Sequence, residues 1–542
     1  MKNPASPTCP AASCEDALPS SIANTTRREF LMTTSKISSV VAAGLILGDL
    51  SGGSQAKAAA ASAPPALVMM DALDLSRAIK SKHVSCREVM TAFLDHIERM
   101  NPKVNAIVSL QDRDSLMKQA AERDAQLARG EYLGWMHGFP HAVKDLEPTK
   151  GIRTTSGSPL TDTVPDHDAF FVERLKKNGA IIIGKTNAPE FGFGSQTYNT
   201  VFGTTLNAYD QSKTPGGSSG GACASLALRM LPVADGSDMM GSLRNPAAYN
   251  NVIGFRPSYG RVPDGPGGEL YLGLLSCDGA LGRSAADVAM LLSVMAGHDA
   301  RDPLSLDQDP AAFAQPLGHN FKGTRLAWLG NFGGAFQVEP GIMELCRGSF
   351  KAFESIGCTV EEARPDFPPE RLWDAWVKLR HWLSAGAMLA LYNDPAKRAK
   401  LKPEVQWEIE GGLKLTALEI YAASEARSDW YRAVSKLFDK YDYLLLPGGQ
   451  VFPFDASVHW PTAINGVVMD TYHRWMEVMI PGSMSGGPII NVPVGFSHDG
   501  LPMGMQIIGK HLADFAVLQL AHAYEQAAPW VRDHLPPLLK AS

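Results

Sequence analysis

No charge of either sign dominates this chain: 50 lysines and arginines face 56 aspartates and glutamates, mixed along its length. A net charge of −6 without a single-sign run provides no basic stripe for nucleic acid and no polybasic patch for anionic lipid. Long apolar runs are missing too. The most hydrophobic stretch near the N-terminus, residues 37–48, falls short of the about 20 apolar residues that a bilayer-spanning helix needs, so no stable membrane anchor is expected. Cysteine is scarce, with seven in 542 residues at irregular spacings that fit neither a disulfide framework nor a zinc site. Cys86, Cys223, Cys277, Cys346 and Cys358 are therefore expected to be buried thiols without chemistry. Low complexity is absent from the body of the chain, and so is any repeat of about 20 to 50 residues, which excludes solenoids. With 45% apolar and 20% charged residues, what is left is a globular protein with a large core, and its expected ligand is a small molecule.

Thr26-Arg27-Arg28-Glu29-Phe30-Leu31 sets a twin arginine just before that mildly apolar stretch, and Ala56-Lys57-Ala58 follows as a small-residue cleavage site. The arrangement resembles a twin-arginine export signal. It implies that residues 1–58 are a signal and cleavage region, and that residues 59–542 act in the periplasm. A short core helix with a chance Arg-Arg is the alternative.

Beyond the signal, Leu75, Ile79, Val89, Phe93, Ile97 and Met100 recur at helical spacing, and Asn101-Pro102 ends that helix. Short apolar runs at 180–183, 443–446, 488–494 and 505–508 alternate with helical segments at 168–178 and 514–526. This is an α/β pattern with buried strands in one large domain. Seven of ten tryptophans (Trp373, Trp376, Trp382, Trp407, Trp430, Trp460 and Trp475) crowd into one segment. Residues of about 370–480 read either as a helical insertion shaping a pocket or as aromatic core.

Pro215-Gly216-Gly217-Ser218-Ser219-Gly220-Gly221 puts two hydroxyls in a loop of four glycines, where the backbone can approach a ligand closely. A phosphate cradle is a poor reading, because no lysine follows at the P-loop spacing. Gly217-Ser218-Ser219-Gly220-Gly221 also fits the nucleophile elbow of α/β-hydrolases, with Ser219 as nucleophile. That reading needs an apolar strand leading into the elbow, whereas 207–215 is polar and rich in turn residues.

Three further blocks decide between these. Gly138-Phe139-Pro140-His141-Ala142-Val143-Lys144-Asp145 lies upstream; Gly236-Ser237-Asp238-Met239-Met240-Gly241-Ser242-Leu243-Arg244 and Gly254-Phe255-Arg256-Pro257 lie downstream. Together with the glycine-serine loop they resemble the amidase signature family, over roughly residues 70–530, and Ser218 and Ser242 stand 24 residues apart as in that family. The resemblance implies a mixed β-sheet covered by helices on both sides and amide hydrolysis through an acyl-serine, with neither metal nor cofactor. It also implies roles: Ser242 the nucleophile, Ser218 a bridging serine after a cis peptide, and Lys144 the base, neutral only if burial lowers its pKa. Backbone N–H groups of Met239, Met240, Gly241 and Ser242 are the expected oxyanion donors, with Ser219 supporting the triad. Asp238 and Arg244 are expected to pair beside that turn.

The chain departs from the family's usual Asp-x-Gly-Gly-Ser in having Met240, which is expected to narrow or grease the acyl pocket. Two alternatives stay open: the glutaminase subunit of an amidotransferase, and a non-catalytic binding protein on the same fold. A small-molecule amide is the expected partner, with a homodimer left open as an assembly.

Overall fold

The computed structural model describes residues 65–540, so the expected export signal lies outside the described residues. The helical periodicity that runs from Leu75 to Met100 resolves into two helices rather than one, α1 (Ala72–Lys80) and α2 (Cys86–Met100). Lys82 between them has φ of 60°, and Ser85 restarts the helix with a capping box. The Ser85 hydroxyl accepts from Glu88 N–H at 3.1 Å, and the Glu88 carboxylate accepts from Ser85 N–H at 2.9 Å. Both helices bury the same apolar set, which is why the spacing carries across the break. Pro102, unable to donate an N–H, lies just past the end of α2.

A small sheet follows, made of β1 (Ile107–Val108), β2 (Pro140–Lys144) and β3 (Ile181–Thr186) in the order β1-β3-β2. β2 and β3 are parallel, with Lys144 opposite Thr186. Parallel strands need a long crossover, and α3 (Phe170–Lys177) lies within this one.

The main sheet has eight strands: β4 (Ala234–Asp238), β5 (Ile253–Arg256), β6 (Cys277–Gly282), β7 (Arg325–Trp328), β8 (Thr359–Glu362), β9 (Tyr443–Pro447), β10 (Ile489–Phe496) and β11 (Pro502–Ile508). Their order is β8-β7-β9-β11-β10-β5-β6-β4. β7 pairs in parallel with β8 and β9, and every other pair is antiparallel, so the sheet is mixed. Helices flank it, among them α4 (Gly220–Ala227), α5 (Arg244–Tyr249), α6 (Ala285–Met295) and α10 (Asp514–Ala527). β9, β10 and β11 are buried along nearly their whole length, which explains their unbroken apolar runs. Each fully buried Ile, Leu or Val there is worth about 1.5–3 kcal/mol of transfer free energy.

The tryptophan-rich segment contains α7 (Pro369–Tyr392), α8 (Pro403–Gly412) and α9 (Ala417–Phe438), and continues into β9. Trp373, Trp376, Trp430 and Trp475 are core residues, whereas Trp407 is 38% exposed. The five described cysteines are free and buried. Among the described residues no helix is long and apolar enough to cross a membrane.

Candidate active site

Lys144 is the last residue of β2, and its position is fixed by Asp235 on β4. Lys144 N–H donates to Asp235 Oδ2 at 3.0 Å, and His141 Nε2 lies 2.8 Å from Asp235 Oδ1. All three residues are fully buried. The Lys144 side chain ends among three hydroxyls: Nζ is 2.8 Å from Ser218 Oγ, 2.9 Å from Ser219 Oγ and 2.9 Å from Ser237 Oγ. Burial pushes its pKa down to about 8, against the opposing pull of Glu147 and Asp278.

Lys185 on β3 is equally buried and is pushed to about 8 by the same cause. Its Nζ meets only Glu147 O at 2.5 Å and Thr149 Oγ1 at 2.9 Å, with no serine in reach. A depressed lysine pKa is thus common to both; a cage of serine hydroxyls belongs to Lys144 alone of the two.

The Gly217–Ser218 peptide is cis, and Ser219 stands at the N-cap of α4. Ser195 Oγ and Thr197 Oγ1 donate to the Gly217 and Gly216 carbonyls at 2.6 and 2.9 Å, fixing the glycine loop from outside. Ser219 N–H donates to Ser242 O at 3.2 Å, which closes this loop onto the turn that carries Ser242. Gly236 makes room for the arrangement. A Cβ there would stand 2.6 Å from Ser219 Oγ and push that hydroxyl off Lys144. No strand leads into Ser219 through 207–215, and Ser219 is fully buried, so the elbow geometry is not present.

The turn 239–242 hangs on Asp238. Its fully buried carboxylate accepts from Gly241 N–H at 2.8 Å and Leu243 N–H at 3.1 Å, and from Arg244 Nε and Nη2, both at 2.9 Å. Arg256 adds a contact at 3.3 Å. Burial alone would raise this carboxyl; the paired Arg244 and Arg256 outweigh it and hold the group well below the usual range. Asp238 and Arg244 therefore form a buried bidentate pair, and breaking such a pair costs about 3–5 kcal/mol.

One expected donor changes role. Gly241 N–H is spent on the Asp238 carboxylate at the end of β4, and the residue itself sits in the left-handed region at φ of 88°. A side chain at Gly241 would also strike Met479 Cγ at 2.5 Å. The N–H groups of Met239, Met240 and Ser242 donate to no described acceptor. Met240 is 3% exposed and joins the hydrophobic core, while Met239 is half-buried with Sδ accepting from Arg380 Nη1 at 3.0 Å. Arg380 on α7 is itself held by Glu408 of α8 and by Tyr472 OH at 2.9 Å. Ser242 is half-buried, whereas Ser218, Ser219 and Lys144 are 3% exposed or less.

Sequence reasoning alone misses Ser237, Asp235 and His141. Ser237 stands next to Asp238 in a block already singled out; strand alternation from Asp235 is the available signal. A groove of about 1700 Å³ elsewhere on the surface, bounded by Tyr209, Phe452, Phe496 and Trp530, contains none of these residues.

The family model described as Amidase matches residues 88–518. The chain belongs to the amidase signature family. Among curated relatives it is 33% identical over 467 residues to the acylamidase of Rhodococcus erythropolis, covering 85% of this chain and 96% of that one. It is 32% identical over 480 residues to a glutamyl-tRNA(Gln) amidotransferase subunit from Thermosynechococcus vestitus, covering 84% and 98%. Of solved structures, a bacterial aryl acylamidase of the amidase signature family superposes with a TM-score of 0.80 at 30% identity, over 87% of this chain and 98% of that one. A 6-aminohexanoate cyclic dimer hydrolase complexed with substrate gives 0.77 at 26% identity, over 87% and 99%. This amidase is accordingly a hydrolase of non-peptide carbon–nitrogen bonds, on an α/β fold with a mixed eight-stranded sheet.

Proposed function

We propose that the amide is cleaved by transfer of its acyl group to Ser242. The carrying observation is Lys144 Nζ, fully buried and within 2.9 Å of the Ser218, Ser219 and Ser237 hydroxyls. Neutral Lys144 takes the Ser218 proton as Ser218 takes that of Ser242, and the freed Ser242 oxygen bonds to the amide carbon. Negative charge developing on the carbonyl oxygen is received by the N–H groups of Met239, Met240 and Ser242, which have no acceptor of their own. The proton then returns through Ser218 to the departing nitrogen as the carbon–nitrogen bond breaks. Water repeats the sequence on the acyl-serine, releasing the carboxylic acid and restoring Ser242. None of these steps calls for a metal or cofactor.

As substrates we propose acyl anilides and related linear amides, a class supported by the acylamidase relative and the aryl acylamidase neighbour. The test is a panel of acyl anilides, primary amides, amino-acid amides and glutamine, read as kcat/KM. Anilides are expected to lead it. Hydrolysis of glutamine alone would replace this reading with the glutaminase one, which the amidotransferase relatives favour and the Arg27-Arg28 pair opposes. Turnover of no amide, with Ser242 inert to a fluorophosphonate, would favour the binding-protein reading.

Periplasmic action is a further proposal, supported by Arg27-Arg28 and the small-residue segment after it. Replacing both arginines with lysine is expected to leave active enzyme in the cytoplasm. Periplasmic recovery equal to the unmodified protein would overturn the export reading.

A further inference from the structure

The tryptophan-rich segment brings one charged group to the site that the triad does not use. The Arg380 side chain on α7 is 9% exposed, and its guanidinium is held from behind. Nε donates to Glu408 of α8, Nη2 donates to Tyr472 OH at 2.9 Å, and Tyr472 in turn donates to Glu408 at 2.6 Å. The guanidinium carbon lies 5.0 Å from the centre of the Phe193 ring and 6.0 Å from that of Trp376. The head of the side chain is thereby fixed, and its remaining end, Nη1, meets a single acceptor among the described residues, the Met239 sulfur at 3.0 Å. A thioether is a weak acceptor, so a buried cation whose donors end on one has lost hydration that nothing replaces.

Two contacts place Nη1 on the wall of the site. Met239 opens the turn that carries Ser242, and it is half-buried. Phe193, against the guanidinium, follows Gly192, where an added Cβ would stand 3.6 Å from Ser218 Oγ. The turn and the segment packed on Ser218 thus meet at Arg380.

We propose that Arg380 binds the substrate: Nη1 takes an uncharged acceptor oxygen that the substrate carries outside its scissile amide. The inference deepens the acyl-serine reading given above and rests on it for the place of the scissile bond.

The charges favour a neutral oxygen. Burial would raise the Glu408 carboxyl, but Arg380 and His381 outweigh it and hold the group at about 2, so it stays ionised and offsets the guanidinium. A carboxylate brought to Nη1 would add a buried charge with no cation left to balance it, whereas a carbonyl or ether oxygen needs only a donor. The thioether is then a placeholder. Methionine is unbranched and turns freely about its side-chain bonds, so Met239 swings aside as the oxygen arrives. Lysine would not serve, because only the guanidinium fork can hold Glu408 and Tyr472 and still present a free end.

The test uses pairs of amides in which one methylene is exchanged for oxygen. On the acyl half the pair is gamma-methoxybutyranilide and hexananilide; on the amine half it is para-(methoxymethyl)acetanilide and para-propylacetanilide. Each pair is read as kcat/KM in the native enzyme and as Kd in Ser242→Ala, where the amide is held without acyl transfer. The ether amide of one pair is expected to lead its alkyl partner by about tenfold in both readings, and the half it belongs to tells which way Nη1 points. In Arg380→Met/Glu408→Gln, which removes both buried charges together, that lead is expected to vanish. Met239→Leu takes away the thioether and leaves the guanidinium, so the lead is expected to stay. Equal readings within both pairs of the native enzyme overturn the proposal, as does a lead that survives the double variant. A lead lost in Met239→Leu overturns it too, since Arg380 would then act only by holding Met239. Glutaranilic acid ahead of gamma-methoxybutyranilide would put a charged oxygen at Nη1 and likewise overturn it. If the double variant does not fold, the native and Met239→Leu comparisons decide. Failure of the acyl-serine reading looks different: no amide is cleaved, while the Kd pairs still answer.

Discussion

Ser242→Ala is expected to lower kcat/KM for amide hydrolysis by about 10⁴- to 10⁶-fold, since it removes the atom that becomes acylated while leaving the fold intact. The side chain is half-buried and its hydroxyl makes no hydrogen bond among the described residues, so thermal unfolding should shift little. Ser219→Ala is the informative contrast. Its hydroxyl is one of three around Lys144, and its N–H, which ties the serine loop to the Ser242 turn, survives the change. A loss of about tenfold is expected, in line with one supporting hydrogen bond. An inactive Ser219→Ala beside an active Ser242→Ala would return the nucleophile to the elbow position.

The second large effect concerns the base. Lys144→Arg is expected to fall by about 10⁴-fold and to stay there at every usable pH, because a guanidinium does not give up its proton. With the native lysine at about 8, kcat/KM should climb through a limb near that pH, since the neutral form is the base and predominates above it. Folding carries a signature of the same sign, displaced to higher pH. Lys144 has a lowered pKa in the folded state, so its burial works against folding below about 8 and is relieved as pH rises toward the unfolded value. Lys144→Met should therefore be inactive yet at least as stable as the native enzyme at neutral pH, by differential thermal unfolding. Lys185→Met, which loses its contacts to Glu147 O and Thr149, is expected to keep the limb. Near-native turnover in Lys144→Arg, or loss of the limb in Lys185→Met, would defeat the mechanism.

These experiments start from residues that the sequence alone makes readable. Lys144, Ser218 and Ser242 are legible because glycine-rich backbone and hydroxyls at a fixed spacing are a strong local signal. The buried strands around 443–447 and 489–508 are legible because double-sided burial writes continuous apolar runs. The break between α1 and α2 is harder to see, since apolar spacing persists through it and only the Ser85 and Glu88 capping pair marks it. Adjacency to Ser242 marks Gly241 as a donor but says nothing about which acceptor its N–H meets; only the folded turn shows that this is the Asp238 carboxylate. Ser237 and Asp278 escape notice because their proximity to Lys144 depends on the β4–β6 register, which joins residues about 40 positions apart. Placing Met240 in the acyl pocket assumes that a larger residue must face the ligand, whereas the core accepts it.

The strand order has a consequence for how the chain is made. β5 at Ile253–Arg256 pairs on one side with β10, whose first residue follows about 230 positions later. At about 5–20 residues per second, a ribosome needs roughly 12 to 50 seconds to supply that partner. Throughout this interval the first half of the protein holds an unpaired strand edge, an invitation to pair with another nascent chain. The turn that carries Ser242 hangs on the same unfinished seam, since Arg244 waits for the Met479 carbonyl and Gln506. The Ser242 turn is thus completed late, and a nonsense codon between β5 and β10 is expected to yield a fragment with an exposed strand edge.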